Sequence, residues 1–203
     1  MHISIYKGDL PDNIKWPKAV AIDSETTGLD IVKDKLCLVQ IGDGMNNAWL
    51  VQIQENVPCP NLKKLLTNPK ILKIFHFARF DIAKIKSSLG ITVNPVYCTK
   101  IASKLTRPEA QKHSLKNLCE DLLGIQLDKE QQCSDWTKKE LSPEQVQYAA
   151  NDVMYLHALK TKLDELLKKQ KKEELAANCF TFLPTRAELD LMGLDEPDLF
   201  SHH

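Results

Sequence analysis

Long apolar runs, paired cysteines and an excess of charge are all missing from this sequence, and each gap closes off a class of protein. No stretch of 18 apolar residues occurs in the 203, and the opening Met1-His-Ile-Ser-Ile-Tyr-Lys-Gly-Asp-Leu10 holds no apolar segment of signal length, so a soluble, cytoplasmic protein with no membrane partner is expected. The six cysteines, Cys37, Cys59, Cys98, Cys119, Cys133 and Cys179, include no C-x-x-C pair, which argues for buried free thiols over zinc or a disulfide framework. The 27 basic residues balance 27 acidic ones; proteins that track a long nucleic acid backbone are usually basic, so any such partner should be short or held by a local patch. Internal repeats, low-complexity segments and interdomain linkers are also absent, and a chain of this length should form one domain with a full core.

What is present is organised around Ala19-Val-Ala-Ile-Asp-Ser-Glu-Thr-Thr-Gly-Leu29. A run of β-favouring residues carries straight into two acids and a turn, which reads as a buried strand delivering carboxylates at its end. Side chains alternate along a strand, so Asp23 and Glu25 point the same way, and two like charges that close resist ionising together unless a cation joins them. A lone D-x-E does not define a metal site, so the rest of the chain has to supply more carboxylates.

The chain before this stretch is a short alternating piece and a turn-rich connector, expected to form an edge strand. Leu36–Gly44 and Asn47–Ile53 are strand-like runs split by a hairpin signal. Leu62, Leu65 and Leu66 then fall at helical spacing, Ile71–Phe75 reads as a strand, Phe80 to Leu89 as a helix closed by Gly90, and Val96–Cys98 as a short strand. Beyond Thr99 helices are expected at 99–106, 114–123, near 130–138, and from 143 onward in one long element begun by Ser142-Pro-Glu-Gln145, with Lys168–Glu174 a solvated helix face. Strands interleaved with helices after an opening hairpin predict an α/β fold with a mixed sheet covered by helices. Residues 179–203 are apolar where a loose terminus would be polar, and are expected to pack on the domain or on a neighbouring subunit.

Two further acidic positions fit the first pair. Asp81, in His76-Phe-Ala-Arg-Phe-Asp81, follows a strand and opens a helix; Tyr148 and Asp152, four apart, share a helix face among Ala149, Ala150, Val153 and Leu156, where an acid needs a partner. Asp23, Glu25, Asp81 and Asp152 in this order, with Tyr148 four residues before the last, resemble the DEDDy branch of the DEDD 3′–5′ exonucleases. His113-Ser-Leu-Lys-Asn-Leu118, Ser134-Asp-Trp136 and Leu141–Leu156 look like the ribonuclease D family, although 203 residues leave no room for that family's helical HRDC modules. Ile74–Asp81, Cys98–Arg107 and Phe182–Leu191 are similar to the compact nanoRNase C proteins.

The resemblance implies a single-domain, ribonuclease H-like mixed β-sheet flanked by helices, and a metal-dependent 3′–5′ exoribonuclease acting on short RNA, above all 5′-phosphorylated dinucleotides, as a ring-shaped octamer. It implies two divalent ions, Mg2+ or Mn2+, with Asp23 bridging them, Glu25 and Asp152 on the ion that carries the attacking water, Asp81 supporting the second, and Tyr148 orienting that water rather than removing its proton. It also matches Leu29 to the position at which related oligoribonucleases separate the two bases. Lys100, Ser103, Lys104 and Arg107 lie at i, i+3, i+4 and i+7, one face of the expected helix that could cap a 5′ phosphate, and His76, Phe77 and Phe80 are candidates for base stacking. The rival readings are an exonuclease trimming longer RNA or single-stranded DNA, and a catalytically silent RNA-binding scaffold, which completeness of the acidic set disfavours.

Overall fold

The computed structural model describes residues 1–127, 134–194 and 199–202. In chain order the elements are β1 (His2–Lys7), β2 (Ala19–Thr26), β3 (Leu36–Gly42), β4 (Asn47–Gln52), α1 (Pro60–Thr67), β5 (Leu72–Phe75), α2 (Ala78–Leu89), β6 (Val96–Cys98), α3 (Thr99–Thr106), α4 (Leu115–Leu123), α5 (Pro143–Met154), α6 (Leu156–Lys169) and α7 (Glu173–Leu191). The strands form one six-stranded sheet ordered β1-β4-β3-β2-β5-β6. The meander β2-β3-β4 is antiparallel, while β1 on β4, β2 on β5 and β5 on β6 are parallel. This is the mixed, helix-covered α/β sheet expected from the sequence, with β1 at the edge.

Helices cover both faces, and the strands read accordingly. Every residue of β3 is buried, which is why Leu36-Cys-Leu-Val-Gln-Ile runs apolar instead of alternating. The core stripe expected beyond residue 143 is buried as well, at Ala149, Val153, Leu156, Leu163 and Leu167. The single long helix expected there is instead two, broken at Tyr155. The break lets α5 lie on β2, β3 and β4 while α6 turns to pack on α3 and α4.

One other expectation changes. The helical piece near 130–138 falls partly outside the described residues, and its described part, from Ser134 onward, forms bends and turns. The apolar tail is helical through Leu191: α7 packs on α2 and β6, burying Ala176, Phe180, Leu183 and Ala187. Near its end Asp190, 5% exposed, accepts from both Nε and Nη2 of Arg79, the latter at 2.7 Å, and from Arg186 Nε at 3.1 Å. Residues 195–198 and 203 of that segment lie outside the described residues. Cys37, Cys59, Cys98 and Cys119 are buried free thiols, Cys179 is half-buried and free, and Cys133 lies outside the described residues. Among the described residues no helix is long and apolar enough to cross a membrane.

Candidate active site

The sheet brings Asp23 and Glu25 under α5. In register they stand opposite Gln40 and Leu38 of β3, on the face that α5 covers. Gly42 makes the approach possible: a Cβ there would lie 3.1 Å from the Val153 carbonyl oxygen and 3.2 Å from the Val153 Cβ. The start of α5 is fixed by a reciprocal cap. Ser142 Oγ accepts from the Gln145 backbone N–H at 3.2 Å, and Gln145 Oε1 accepts from the Ser142 N–H at 3.0 Å. The spare Gln145 amide donates to Ser134 Oγ at 3.0 Å and to the Asp135 carbonyl at 2.9 Å, so the preceding loop is tied to the same turn. One turn on, Tyr148 and Asp152 face the acids of β2; carboxylate oxygens of Asp23, Glu25 and Asp152 lie within 4.8 Å of one another.

Asp81 arrives from the opposite side. Ser24, between the two acids and therefore pointing to the other face of β2, donates to Asp81 Oδ1 at 2.6 Å. Asp81 stands in the first turn of α2, which Phe77 enters with left-handed backbone, φ 66° and ψ 41°, a conformation L-residues adopt at a cost. The ring so presented is 45% exposed, with Lys100 Nζ 4.2 Å from its centre. His76 Nδ1 is hydrogen-bonded to Thr99 Oγ1 at 2.9 Å, and the same hydroxyl lies 3.1 Å from the Phe75 carbonyl, so the ring is tied to the end of β5.

The electrostatics are those of acids crowded without a counter-ion. Burial, then the charges of Asp81, Asp152 and Glu25, hold Asp23 well above the ordinary carboxylate range. Glu25 is pushed up to about 9 by burial, then Asp152 and Asp81, against a 3.3 Å hydrogen bond from Gln40 Nε2. Asp81 rises to about 7 by burial, opposed by the Ser24 hydroxyl. The Tyr148 phenol moves above its usual value by burial and then Asp152, Glu25 and Asp23, so it stays protonated at neutral pH. Hard oxygen donors converging on one point fit a divalent cation of the magnesium or manganese kind, and no His or Cys joins them among the described residues, which disfavours zinc.

These groups line one cavity of about 590 Å3. Asp23, Glu25, Asp81, Tyr148 and Asp152 form its floor, and Leu29, His76, Phe77, Phe80 and Lys100 also line it. The expected basic face of α3 does not hold together as drawn. Ser103 is fully buried, 2.8 Å from His113 Nδ1, because the inward face of α3 runs through Thr99, Ala102, Ser103 and Thr106. Arg107 pairs with Asp121, and only Lys100 and Lys104 face the depression of about 690 Å3 that adjoins the cavity. Lys112, Ser114 and Lys116 also line that depression, with Gln111, His113 and Asn117, and Lys100, Ser114 and Lys116 line the cavity too. Sequence reasoning missed Ser24 and Gln40 as partners of the acids, and Trp136, 4% exposed, whose ring packs 6.1 Å from that of Tyr148. Strand alternation alone could have turned Ser24 toward a second acid, and Trp136 stands in the Ser134-Asp-Trp136 stretch already singled out; nothing local marks Gln40.

The family model described as 3′–5′ exonuclease matches residues 9–168. DNA polymerase I of Aquifex aeolicus is 38% identical over 146 residues, 72% of this chain but 24% of that protein. Ribonuclease D of Xanthomonas oryzae is 30% identical over 175 residues, 84% of this chain and 47% of that protein. The chain therefore spans about a quarter to a half of these relatives. Solved structures of Brucella melitensis NrnC match over the full length of both chains: with bound Mg2+ at 47% identity and TM-score 0.94, and bound to pGG at 48% and 0.95. The resemblance to ribonuclease D-like, nanoRNase C proteins and the fold expected from it stand on these matches.

Proposed function

The chain belongs to the 3′–5′ exonuclease family, and on that premise we propose that it hydrolyses short RNA from the 3′ end, 5′-phosphorylated dinucleotides above all, releasing nucleoside 5′-monophosphates. The observation that carries the reading is the meeting of Asp23, Glu25, Asp81, Asp152 and Tyr148 in one cavity. Its volume of about 590 Å3 lies in the ~300–1,000 Å3 range of small-ligand pockets. The similar Brucella NrnC bound to pGG supports a substrate of that size.

Asp23, Glu25 and Asp152 would hold divalent metal, with Asp81 beside them on its Ser24 bond. Bound Mg2+ or Mn2+ supplies charge relief on the phosphoryl oxygens and a nucleophile near neutral pH, two ions serving both sides of the displacement. The residues do the rest. Gln40 and Ser24 orient the carboxylates of Glu25 and Asp81. Tyr148, packed on Trp136, orients the attacking water through its hydroxyl. Lys100, Lys104, Lys112 and Lys116 around Ser114 offer a 5′ phosphate its charge partners next to the cavity, and Phe77 offers a base a stacking face.

The partner we propose beyond RNA is a second copy of the chain. Phe182, Met192, Leu194, Leu199 and Phe200 are exposed apolar residues, with the rings of Phe182 and Phe200 5.8 Å apart. Association into a homo-oligomer, a ring of eight by resemblance, would cover them. The test of the function is a length series of 5′-labelled RNAs with magnesium and with manganese. Faster turnover of 5′-phosphorylated dimers than of 20-mers is expected, with Asp23→Asn and Asp152→Asn inactive but folded. Equal rates per end would replace the dimer preference by general 3′ trimming, and an active Asp23→Asn enzyme would remove the site.

A further inference from the structure

The loop after β2 is held far more firmly than its own packing requires. Leu29 stands on it 87% exposed at the rim of the acidic cavity, so folding gains almost nothing from that side chain. The backbone around it is nevertheless bonded from two sides. Lys84 of α2, 1% exposed, directs its ammonium at the carbonyls of Asp34, of Ile31 at 3.2 Å and of Asp30 at 3.4 Å. The Asp34 carboxylate accepts from Thr27 Oγ1 at 2.9 Å and from the Asp30 N–H at 2.8 Å, and Thr27 Oγ1 in turn accepts from the Lys35 N–H at 2.9 Å. Gly28 completes the closure, since a Cβ there would come within 2.5 Å of the Asp34 carboxylate.

A buried ammonium is a costly way to hold a surface loop. Methionine would fill the same volume without the desolvation, and the three carbonyls that Lys84 takes could be satisfied by water if the loop were free. What the ammonium secures is position: its three bonds fix the loop where it borders the acidic cavity. Lys84 also lies one turn beyond Asp81 on the same helix, so a single rigid element fixes a catalytic carboxylate and the loop that carries Leu29. We infer that Lys84, with Asp34, is a specificity-determining positioning residue: it holds Leu29 at a set distance from the acids, where the leucine packs between the bases of a two-nucleotide substrate. The inference rests on the short-RNA reading above and adds the device by which length is read.

The experiment is a double-mutant cycle on Leu29→Ala and Lys84→Met, with kcat and KM measured on a 5′-phosphorylated dinucleotide and a heptanucleotide and with melting temperatures alongside. Each single variant should lower the dimer-to-heptamer ratio of kcat/KM by about tenfold, mainly through the dimer KM, and the double variant should fall no further than Leu29→Ala. Asp34→Asn, which keeps the shape but weakens the bonds to Thr27 and Asp30, should move the ratio in the same direction and serves if Lys84→Met does not fold. An unchanged ratio in Lys84→Met or Asp34→Asn, or singles whose effects multiply, would overturn the role of Lys84. Equal wild-type rates on the two substrates would instead sink the short-RNA reading; positioning would then be judged by whether Lys84→Met raises KM only while Leu29 is present.

Discussion

Replacing Asp81 by Asn should make the metal-free protein more stable at pH 8 while abolishing its activity. Asp81 is 4% exposed, and burial lifts it from the ordinary 3.8 to about 7. A carboxylate raised in this way contributes stability that is complete below its unfolded value and is lost as pH rises through its folded one, because across that window the folded state binds the extra proton. About three units at ~1.4 kcal/mol each make the loss at most ~4 kcal/mol for this group between pH 4 and pH 8. Asn carries no charge to desolvate, can still accept from Ser24 Oγ, and removes the largest like charge acting on Asp23. At ~2–4 °C per kcal/mol for a chain of this size, the metal-free variant should melt on the order of 10 °C above wild type at pH 8 and within a degree or two of it at pH 4. Differential scanning calorimetry in EDTA from pH 4 to 8 reads the difference curve, in which acids held low elsewhere, such as Asp135 and Glu140, and the depressed His157 cancel. Magnesium should raise the melting temperature of wild type at pH 8 and that of the variant much less. A variant less stable than wild type at pH 8 without metal, or a difference that does not shrink toward pH 4, would refute the reasoning.

Two further outcomes are expected. Phe77→Asn trades a strained left-handed aromatic for a residue at ease there, recovering ~1 kcal/mol of backbone strain and losing a comparable cation–π contact with Lys100; its melting temperature should barely move, while kcat/KM on short RNA falls by about 5- to 100-fold, the ~1–3 kcal/mol of one stacked base, and unchanged kinetics would exclude stacking. Asp190→Asn leaves Arg79 and Arg186 without their shared carboxylate, with an expected loss of ~3 kcal/mol in denaturant unfolding; a loss below ~1 kcal/mol would mean that apolar packing alone holds α7 on α2.

What could be read from the chain and what could not divide along a physical line. Periodic apolar burial was legible: β2 through β6 and α1 through α4 lie within a few residues of where alternation and helical spacing put them, and the capping box at Ser142 marks the start of α5. Asp23 and Glu25 share a face for the same reason, as do Tyr148 and Asp152. Polar groups paired across long separations were not legible. Ser103 counts onto the basic side of α3 by spacing, yet it belongs to the inward face with Ala102 and Thr106, where it meets His113. Lys84, and Lys73 with its Nζ on the carbonyls of Asn68, Ile71 and Asn94, look like surface lysines in sequence although both are buried. Helix α7 escaped because apolar residues lie all round it, Ala176, Phe180 and Leu183 inward, Leu175 and Phe182 outward, and because Pro184 lies inside it, where sequence pattern argues against a helix. A polar side chain inside a protein is committed by partners dozens of residues away, and local pattern carries no record of them. The clustered carboxylates stood out because strand and helix periodicity aims them; the groups that bond to those carboxylates and to the loop at the rim of the cavity, Ser24, Gln40, Asp34 and Lys84, belong to the second kind and are the ones that local pattern records least.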